Sequence, residues 1–163
     1  MRTCCTVPDS TIEAVHRLQA AGVKVLICTG RAPSQMHVVL DTMPVTFDGV
    51  VAFNGQYCFD DTGFFASQAL DTADIEVILD WLDRHPDVVC NFGEKDYVYF
   101  NQSNDLLRAT WSKLGKTAPT WYFEDPRTRA LDHETFQISP FVGPELEAEL
   151  VGLCSNVRGV RWH

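Results

Sequence analysis

Two rhythms of apolar and polar residues divide the chain near residue 68. In the first part, an apolar stripe at helical spacing over residues 12–18 precedes a short apolar run over 23–28. Such a run, rich in β-branched residues, is typical of a parallel strand covered on both faces. A second helix over 33–43 and a second buried-type strand over 49–53 are expected next. Strand, helix and strand with short connections predict a right-handed βαβ unit.

Local signals indicate where the first elements begin and end. Ser10, with Glu13 three residues later, has the form of a capping box, so the first helix is expected to begin there. Gly22 is expected to end it. Residues 60–63 separate two aromatic-rich runs, and Asp and Gly at these positions predict a hairpin turn.

After residue 70 the pattern predicts a mixed α+β arrangement. Residues 116–132 have poor periodicity and are interpreted as loop. The remaining segments are predicted as helices over 72–85, 106–114 and 144–154, and as strands over 88–92, 97–101, 136–139 and 157–162.

Charge and composition limit the classes of partner. The 163 residues include 13 basic and 22 acidic side chains, a net charge of −9, which argues against nucleic-acid or anionic-membrane binding. No apolar run approaches the roughly 20 residues that span a bilayer, and no signal peptide is recognised. Without an export signal, the six cysteines are expected to be reduced thiols in a cytoplasmic protein. They include no Cys-x-x-Cys pair, which argues against a zinc ribbon.

The segment Thr29-Gly30-Arg31 is the most informative candidate for chemistry. It follows a predicted parallel strand and precedes a predicted helix, and ligands of open α/β sheets bind at that edge. Free N–H groups at a helix N-terminus favour an anion. The alternative is that Thr29 only caps the next helix and that Arg31 is a surface residue.

The order of these elements carries a family resemblance. Thr29-Gly30-Arg31 after the first strand and Asn54-Gly55 after the second resemble the Cof-type (cap type IIB) branch of the haloacid dehalogenase (HAD) superfamily. The resemblance implies an α/β fold with a partial Rossmann-like core over 1–68 and an α+β cap domain over 69–163.

The same resemblance implies a function. Such proteins are magnesium-dependent phosphatases that hydrolyse phosphate monoesters of sugars or similar small metabolites through an aspartyl-phosphate. Thr29 matches the phosphoryl-binding threonine of the second motif, with Gly30 and Arg31 beside it and Asn54 near the cap hinge. The implied partner is a small phosphorylated metabolite, and the implied cofactor is Mg2+.

The sequence departs from this pattern at the other motifs. The family's Asp-x-Asp-Gly-Thr strand should precede Pro8, but only seven residues do so and none is acidic. The later Lys and Gly-Asp motifs are also missing, so no metal ligand is assigned. We therefore expect a truncated chain that is inactive alone. Residues 60–63 are interpreted as a turn and not as a substitute for the first motif.

A non-catalytic interaction module derived from the cap domain is the alternative function. An incomplete parallel sheet would expose strand edges, which favour self-association or pairing with another chain. A split enzyme, completed by a second polypeptide, is a third possibility. Two further features stay open. Residues 94–96 form either a specificity loop or a solvated turn. Four aromatics form either a stacking surface or core: Trp111, Trp121, Tyr122 and Phe123.

Overall fold

The computed structural model describes residues 7–41, 43–115, 118, 120 and 122–153. The chain forms two compact units, Met1–Ser67 and Gln68–His163. The first combines parallel and antiparallel strands with helices, and the second is an antiparallel sheet with helices. The mixed α/β fold class expected from the sequence is confirmed.

The first unit begins with a helix and then builds a four-stranded sheet. Its strands lie in the order β1-β2-β3-β4, with β1 parallel to β2 and the other neighbouring pairs antiparallel. In chain order the elements are α1 (Asp9–Ala20), β1 (Leu26–Cys28), a 3-10 turn (Pro33–Gln35), α2 (His37–Leu40), β2 (Gly49–Ala52), a 3-10 turn (Phe53–Gly55), β3 (Tyr57–Asp60) and β4 (Gly63–Ser67).

The predicted hairpin is confirmed, and its turn has a local cause. Asp60 accepts hydrogen bonds from the Thr62 backbone amide at 2.8 Å and from the Thr62 hydroxyl at 2.6 Å. Gly63 has a φ of 129°, a conformation that glycine adopts without steric cost. Residues 60–63 are therefore turn residues at the surface, as the sequence indicated.

Three boundaries in this unit differ from the sequence expectations. The first helix begins at Asp9, with Pro8 as its N-cap and no side-chain cap, so Ser10 lies inside it. Proline has no amide hydrogen to satisfy and its fixed φ suits a helix start. The apolar run over 23–28 gives a strand of only three residues. The helix expected over 33–43 is divided into a 3-10 turn and a four-residue α2.

β1 and α1 are more exposed to solvent than their apolar sequences predict. Leu26 is 39% exposed and Cys28 is exposed, although a parallel strand is expected to be covered on both faces. No residue of α1 is buried, and its apolar Leu18 is 46% exposed. The reason is positional, because β1 lies at the end of the sheet and has only β2 as a neighbour among the described strands.

The second unit is built around a three-stranded antiparallel sheet in the order β6-β5-β7. Helix α3 is the first element of this unit, and its N-cap Asp71 accepts a hydrogen bond from the Ala73 amide. In chain order the elements are α3 (Thr72–Arg84), β5 (Cys90–Glu94), β6 (Val98–Phe100), α4 (Asp105–Leu114), α5 (Pro126–Asp132), β7 (Thr135–Pro140) and α6 (Pro144–Leu153).

Side chains from α3 and the sheet form the main core of this unit. The apolar residues of α3 recur at helical spacing on one face, and Ile75, Ile78, Leu79 and Leu82 are all buried. They pack in one cluster with sheet residues that include Phe92. A smaller cluster joins buried residues of β6 and α4, with Trp111 packed against it.

Two expectations for the second unit have other outcomes. The interpretation of residues 116–132 as loop is wrong in part, because Pro126–Asp132 forms α5, capped by the Asp125 carboxylate on the Arg127 amide. Seven residues are too few for a visible helical period, so the sequence signal was the Asp-Pro start alone. The strand expected over 157–162 lies outside the described residues. None of the described helices is long and apolar enough to cross a membrane.

Candidate phosphoryl-binding site

Thr29, Gly30 and Arg31 leave the sheet directly after β1. The Thr29 amide donates to the Val51 carbonyl at 2.9 Å, which continues the parallel pairing of β1 with β2 by one residue. The chain then turns away from the sheet before the 3-10 turn at Pro33. The three residues therefore lie at the carboxyl end of a parallel strand, the edge where α/β proteins bind ligands.

The Thr29 hydroxyl is fixed by its own loop. Its Oγ1 accepts a hydrogen bond from the Arg31 amide at 3.1 Å. A threonine hydroxyl has one proton to donate, and no hydrogen bond from that proton to a described residue is present. The contact also decides an open alternative: Thr29 does not cap a helix, because the N-cap of the following 3-10 turn is Ala32.

The second predicted segment lies against the first. The Asn54 amide donates to the Thr29 carbonyl at 2.9 Å, and the Phe53 amide donates to the Arg31 carbonyl at 3.1 Å. The structure thus brings the predicted residues Thr29, Gly30, Arg31 and Asn54 into two hydrogen-bonded loops. The Asn54 side chain is exposed, whereas Phe53, which the sequence analysis missed, is 3% exposed.

The charge of this site is carried by Arg31. Its side chain is partly buried, and its guanidinium forms no ion pair with the described residues. Lys24 and Asp48 form an ion pair at 3.1 Å. Lys24 precedes β1 and Asp48 precedes β2, so this pair lies at the amino ends of the two strands. An anion at the carboxyl ends would therefore meet an arginine whose five donors are not already paired with a described carboxylate.

The helix-dipole part of the expectation is wrong. The segment after Arg31 is a 3-10 turn followed by only four helical residues, His37–Leu40. So short a helix sums few peptide dipoles, and its first residue is six positions beyond Arg31. The proline at 44 disfavours a longer helix, because the residue before a proline is restricted to extended conformations. An anion at this edge would meet the Thr29 hydroxyl and the Arg31 guanidinium and not a helix N-terminus.

The two loops do not form a magnesium site by themselves. Mg2+ requires oxygen ligands with at least one or two carboxylates, and residues 29–31 and 53–55 contain none. Across the described ranges, no group of three or more His, Cys, Asp and Glu side chains is arranged to hold a metal ion. The donor set of this site therefore does not fit the metal that the family resemblance implies.

The second unit contains a separate polar cluster around a buried ion pair. Arg129 donates to both carboxylate oxygens of Glu94, at 2.6 and 2.8 Å, and its guanidinium lies 4.3 Å from the centre of the Tyr97 ring. Glu94 is 7% exposed, whereas Lys95 and Asp96 are exposed. The solvated-turn interpretation of 94–96 therefore holds for its last two residues, and Glu94 is a structural residue.

An open polar cavity of about 270 Å³ lies beside this ion pair. Most of its polar groups are already engaged: Glu124 accepts from the Tyr97 hydroxyl, and Asp125 accepts from the Thr128 hydroxyl. The lining residues are Glu124, Asp125, Thr128, Arg129, Asp132 and His133. The contact that joins α5 to the sheet is the bond between Arg129 of α5 and Glu94 of β5.

The aromatic residues left open by the sequence have divided roles. Trp111 packs edge-on against the buried Phe100, with ring centres 5.1 Å apart, so it belongs to the core. Tyr122 and Phe123 are 44% and 48% exposed, and they border Tyr97 and Phe100 respectively. Trp121 lies outside the described residues.

The chain belongs to the haloacid dehalogenase-like hydrolase family, whose model matches residues 3–149. This match covers both units and includes the two loops of the candidate site. No curated protein matches the chain.

Solved structures of several phosphatases share this fold. The phosphatase BT1666 from Bacteroides thetaiotaomicron aligns with a TM-score of 0.78 and 24% identity, covering 100% of this chain and 59% of its own. The HAD subclass IIB sugar phosphatase BT4131 aligns with a TM-score of 0.80 and 24% identity over 96% and 60% of the two chains. A hypothetical protein from Geobacillus kaustophilus aligns with a TM-score of 0.76 and 26% identity over 97% and 59%. The chain thus spans about three fifths of the length of these relatives.

Proposed function

We propose that this chain is the phosphoryl-binding part of a HAD subclass IIB phosphatase that acts on sugar phosphates or similar small metabolites. The carrying observation is the Thr29 hydroxyl, which is fixed by the Arg31 amide at 3.1 Å while its proton is not used by a described residue. The hydroxyl would donate to a phosphoryl oxygen, and the Arg31 guanidinium would neutralise part of the charge. Gly30, without a side chain, would let the phosphoryl group approach the backbone.

Each unit has a proposed part in this function. Residues 1–68 correspond to the partial core that binds the phosphoryl group, and residues 69–163 correspond to a cap domain that selects the substrate. Relatives with the same fold include a sugar phosphatase, which supports the proposed substrate class. We further propose a reducing compartment such as the cytoplasm, where Cys28, Cys58 and Cys90, which form no disulfide among the described residues, would stay as thiols.

The chemical step requires groups that the two loops do not contain. Phosphoryl transfer to an aspartate needs a carboxylate in line with the phosphorus, and Mg2+ supplies charge neutralisation when bound. We therefore propose that the 163-residue chain binds phosphate without turning over an ester. A longer form with an Asp-x-Asp strand and further acids would hydrolyse phosphate esters with Mg2+.

The test pairs binding by this chain with turnover by the longer form. Inorganic phosphate is titrated into the 163-residue chain and into Thr29→Ala and Thr29→Ser variants, with the Gly30 and Arg31 amides followed by NMR. We expect Thr29→Ser to bind like the parent and Thr29→Ala to bind about tenfold more weakly, because a charge-assisted hydrogen bond is lost. Equal affinity of the two variants would argue against the role of Thr29. A longer form that fails on a panel of sugar phosphates with Mg2+ would argue against the phosphatase.

A second candidate function rests on the open edge of the first unit. Leu26 is 39% exposed on an edge strand, and such strands pair readily with other chains. The proposed alternative is an interaction module that associates with itself or with a second polypeptide through β1. Leu26→Lys should then abolish association in analytical ultracentrifugation, while Phe65→Lys, on the opposite edge strand β4, should leave it unchanged. A monomeric parent chain would exclude self-association.

A further inference from the structure

The turn after β2 has an unusual backbone. Phe53, Asn54 and Gly55 have φ values of 48°, 57° and 107°, so three consecutive residues are in left-handed conformations. Asparagine tolerates this region, but for a bulky residue such as phenylalanine it is a genuine outlier. Phe53 is also 3% exposed, so its buried ring holds the turn in place. Strained backbone of this kind is kept only where surrounding structure determines it.

This turn satisfies the carbonyl groups on both sides of Gly30. The Asn54 amide donates to the Thr29 carbonyl at 2.9 Å, and the Phe53 amide donates to the Arg31 carbonyl at 3.1 Å. With both carbonyls held, the Arg31 amide points back to the Thr29 Oγ1 at 3.1 Å. The rotamer of Thr29 is therefore linked to the left-handed turn through the backbone alone.

We infer that Phe53 and Asn54 are positioning residues for the phosphoryl-binding hydroxyl, and that Asn54 acts through its backbone and not through its amide side chain. The inference rests on the proposed function of Thr29 and adds two residues to it. The left-handed turn presents the adjacent backbone amides of Phe53 and Asn54 to the loop at residues 29–31. A right-handed turn at 53 and 54 would not direct both amides to that loop. The exposed side chain of Asn54 is then dispensable.

Substitutions at Asn54 separate the backbone from the side chain. Asn54→Gly removes the side-chain carboxamide and keeps the left-handed backbone conformation available. Asn54→Val keeps a side chain of similar size and disfavours that conformation. Asn54→Ala is a milder form of the same strain, for use if Asn54→Val does not fold. The matched control is Gly63→Ala, which strains another left-handed residue, with φ 129°, in the β3–β4 hairpin.

The first readout is the Thr29 side chain itself, measured by three-bond couplings that report its χ1 rotamer. We expect one rotamer in the parent, in Asn54→Gly and in Gly63→Ala, and averaging in Asn54→Val or Asn54→Ala. The second readout is the dissociation constant for inorganic phosphate. Asn54→Gly should match the parent, while Asn54→Val should weaken binding by about tenfold, as expected for a strained site.

The outcomes distinguish this inference from the proposed function. A Thr29 rotamer that is unchanged in Asn54→Val and Asn54→Ala would overturn the positioning role, and so would a Gly63→Ala variant that loses the rotamer equally. Weaker phosphate binding by Asn54→Gly would show that the amide side chain is the ligand, which also overturns it. If the parent binds no phosphate but Asn54→Val loses the Thr29 rotamer, the proposed function fails and the positioning role stands.

Discussion

At the scale of single residues, the ion pair between Glu94 and Arg129 combines short hydrogen bonds with a buried carboxylate. Both hydrogen bonds are short, at 2.6 and 2.8 Å, and the Glu94 side chain is only 9% exposed. The hydrogen bond from Arg129 to Glu94 is the main cause that raises the pKa of Arg129. The Tyr97 ring lies over the guanidinium, with its centre 4.3 Å from the Arg129 Cζ. Each charge offsets the cost of burying the other, so removal of one partner leaves an unpaired charge.

Replacing one partner should therefore cost more than a surface contact. For Arg129→Met we expect a loss of roughly 3 kcal/mol in the free energy of unfolding of the second unit, since a buried carboxylate is left without a partner. Urea unfolding followed by tryptophan fluorescence measures this, because all four tryptophans follow residue 68 and Trp81 lies in the core.

The matched control is Arg127→Met on the same helix. Arg127 binds Asp80 and Asp83 of α3 at 2.8 and 2.6 Å, but its side chain is 42% exposed. Solvent screens such contacts, so we expect a clearly smaller loss in the free energy of unfolding than for Arg129→Met. Equal losses in the two variants would show that burial of Glu94 does not set the cost.

At the scale of elements, Asp48 joins the connection before β1 to the start of β2. Its Oδ2 accepts from the Val25 amide at 2.8 Å and from the Gln19 side chain at 3.4 Å, and its Oδ1 accepts from Lys24 at 3.1 Å. These contacts, with the Val25 amide first, lower the pKa of Asp48 below its usual value. One carboxylate thus fixes the register at which the two parallel strands begin.

The direction of this pKa shift sets the pH dependence of the first unit. A depressed pKa in the folded state means that Asp48 stabilises the fold above its unfolded pKa of about 4, and that this contribution is lost as pH falls through the folded pKa. Asp48→Asn should therefore lower the urea midpoint of the first unit at pH 7 and have little effect at pH 2. Resonances of Val50 and Val51 report this unit. An effect that is equal at both pH values would contradict an ionic origin.

At the scale of the whole chain, the two units differ in how much apolar surface they bury. Among the described residues, one core cluster of the first sheet contains the buried Met36, Val50 and Ala52, and α1 contributes no buried residue. The second unit has a larger cluster that includes the fully buried Trp81 and Phe92. Because burial of apolar area is the main favourable term in folding, the second unit should be the more stable.

Native-state amide exchange should reveal this difference. We expect amides of β1 and β2 to exchange at least about tenfold faster than those of β5 and β7, since local opening follows the stability of each unit. Hydrogen exchange followed by NMR at neutral pH measures both units in one sample. Uniform protection across the chain would mean that the two units unfold together.

The sequence by itself determined the βαβ start, the hairpin turn at 60–63, the buried face of α3 and the family, because these follow from local periodicity and short motifs. The tertiary structure decided what local patterns do not contain. It left the apolar β1 exposed, because exposure depends on which strands are neighbours. It buried Glu94, because Arg129 comes from a helix 35 residues away. It also joined Thr29 to Asn54 through a hydrogen bond from a backbone amide to a backbone carbonyl. Every residue except proline has both groups, so the residue types do not reveal such a bond.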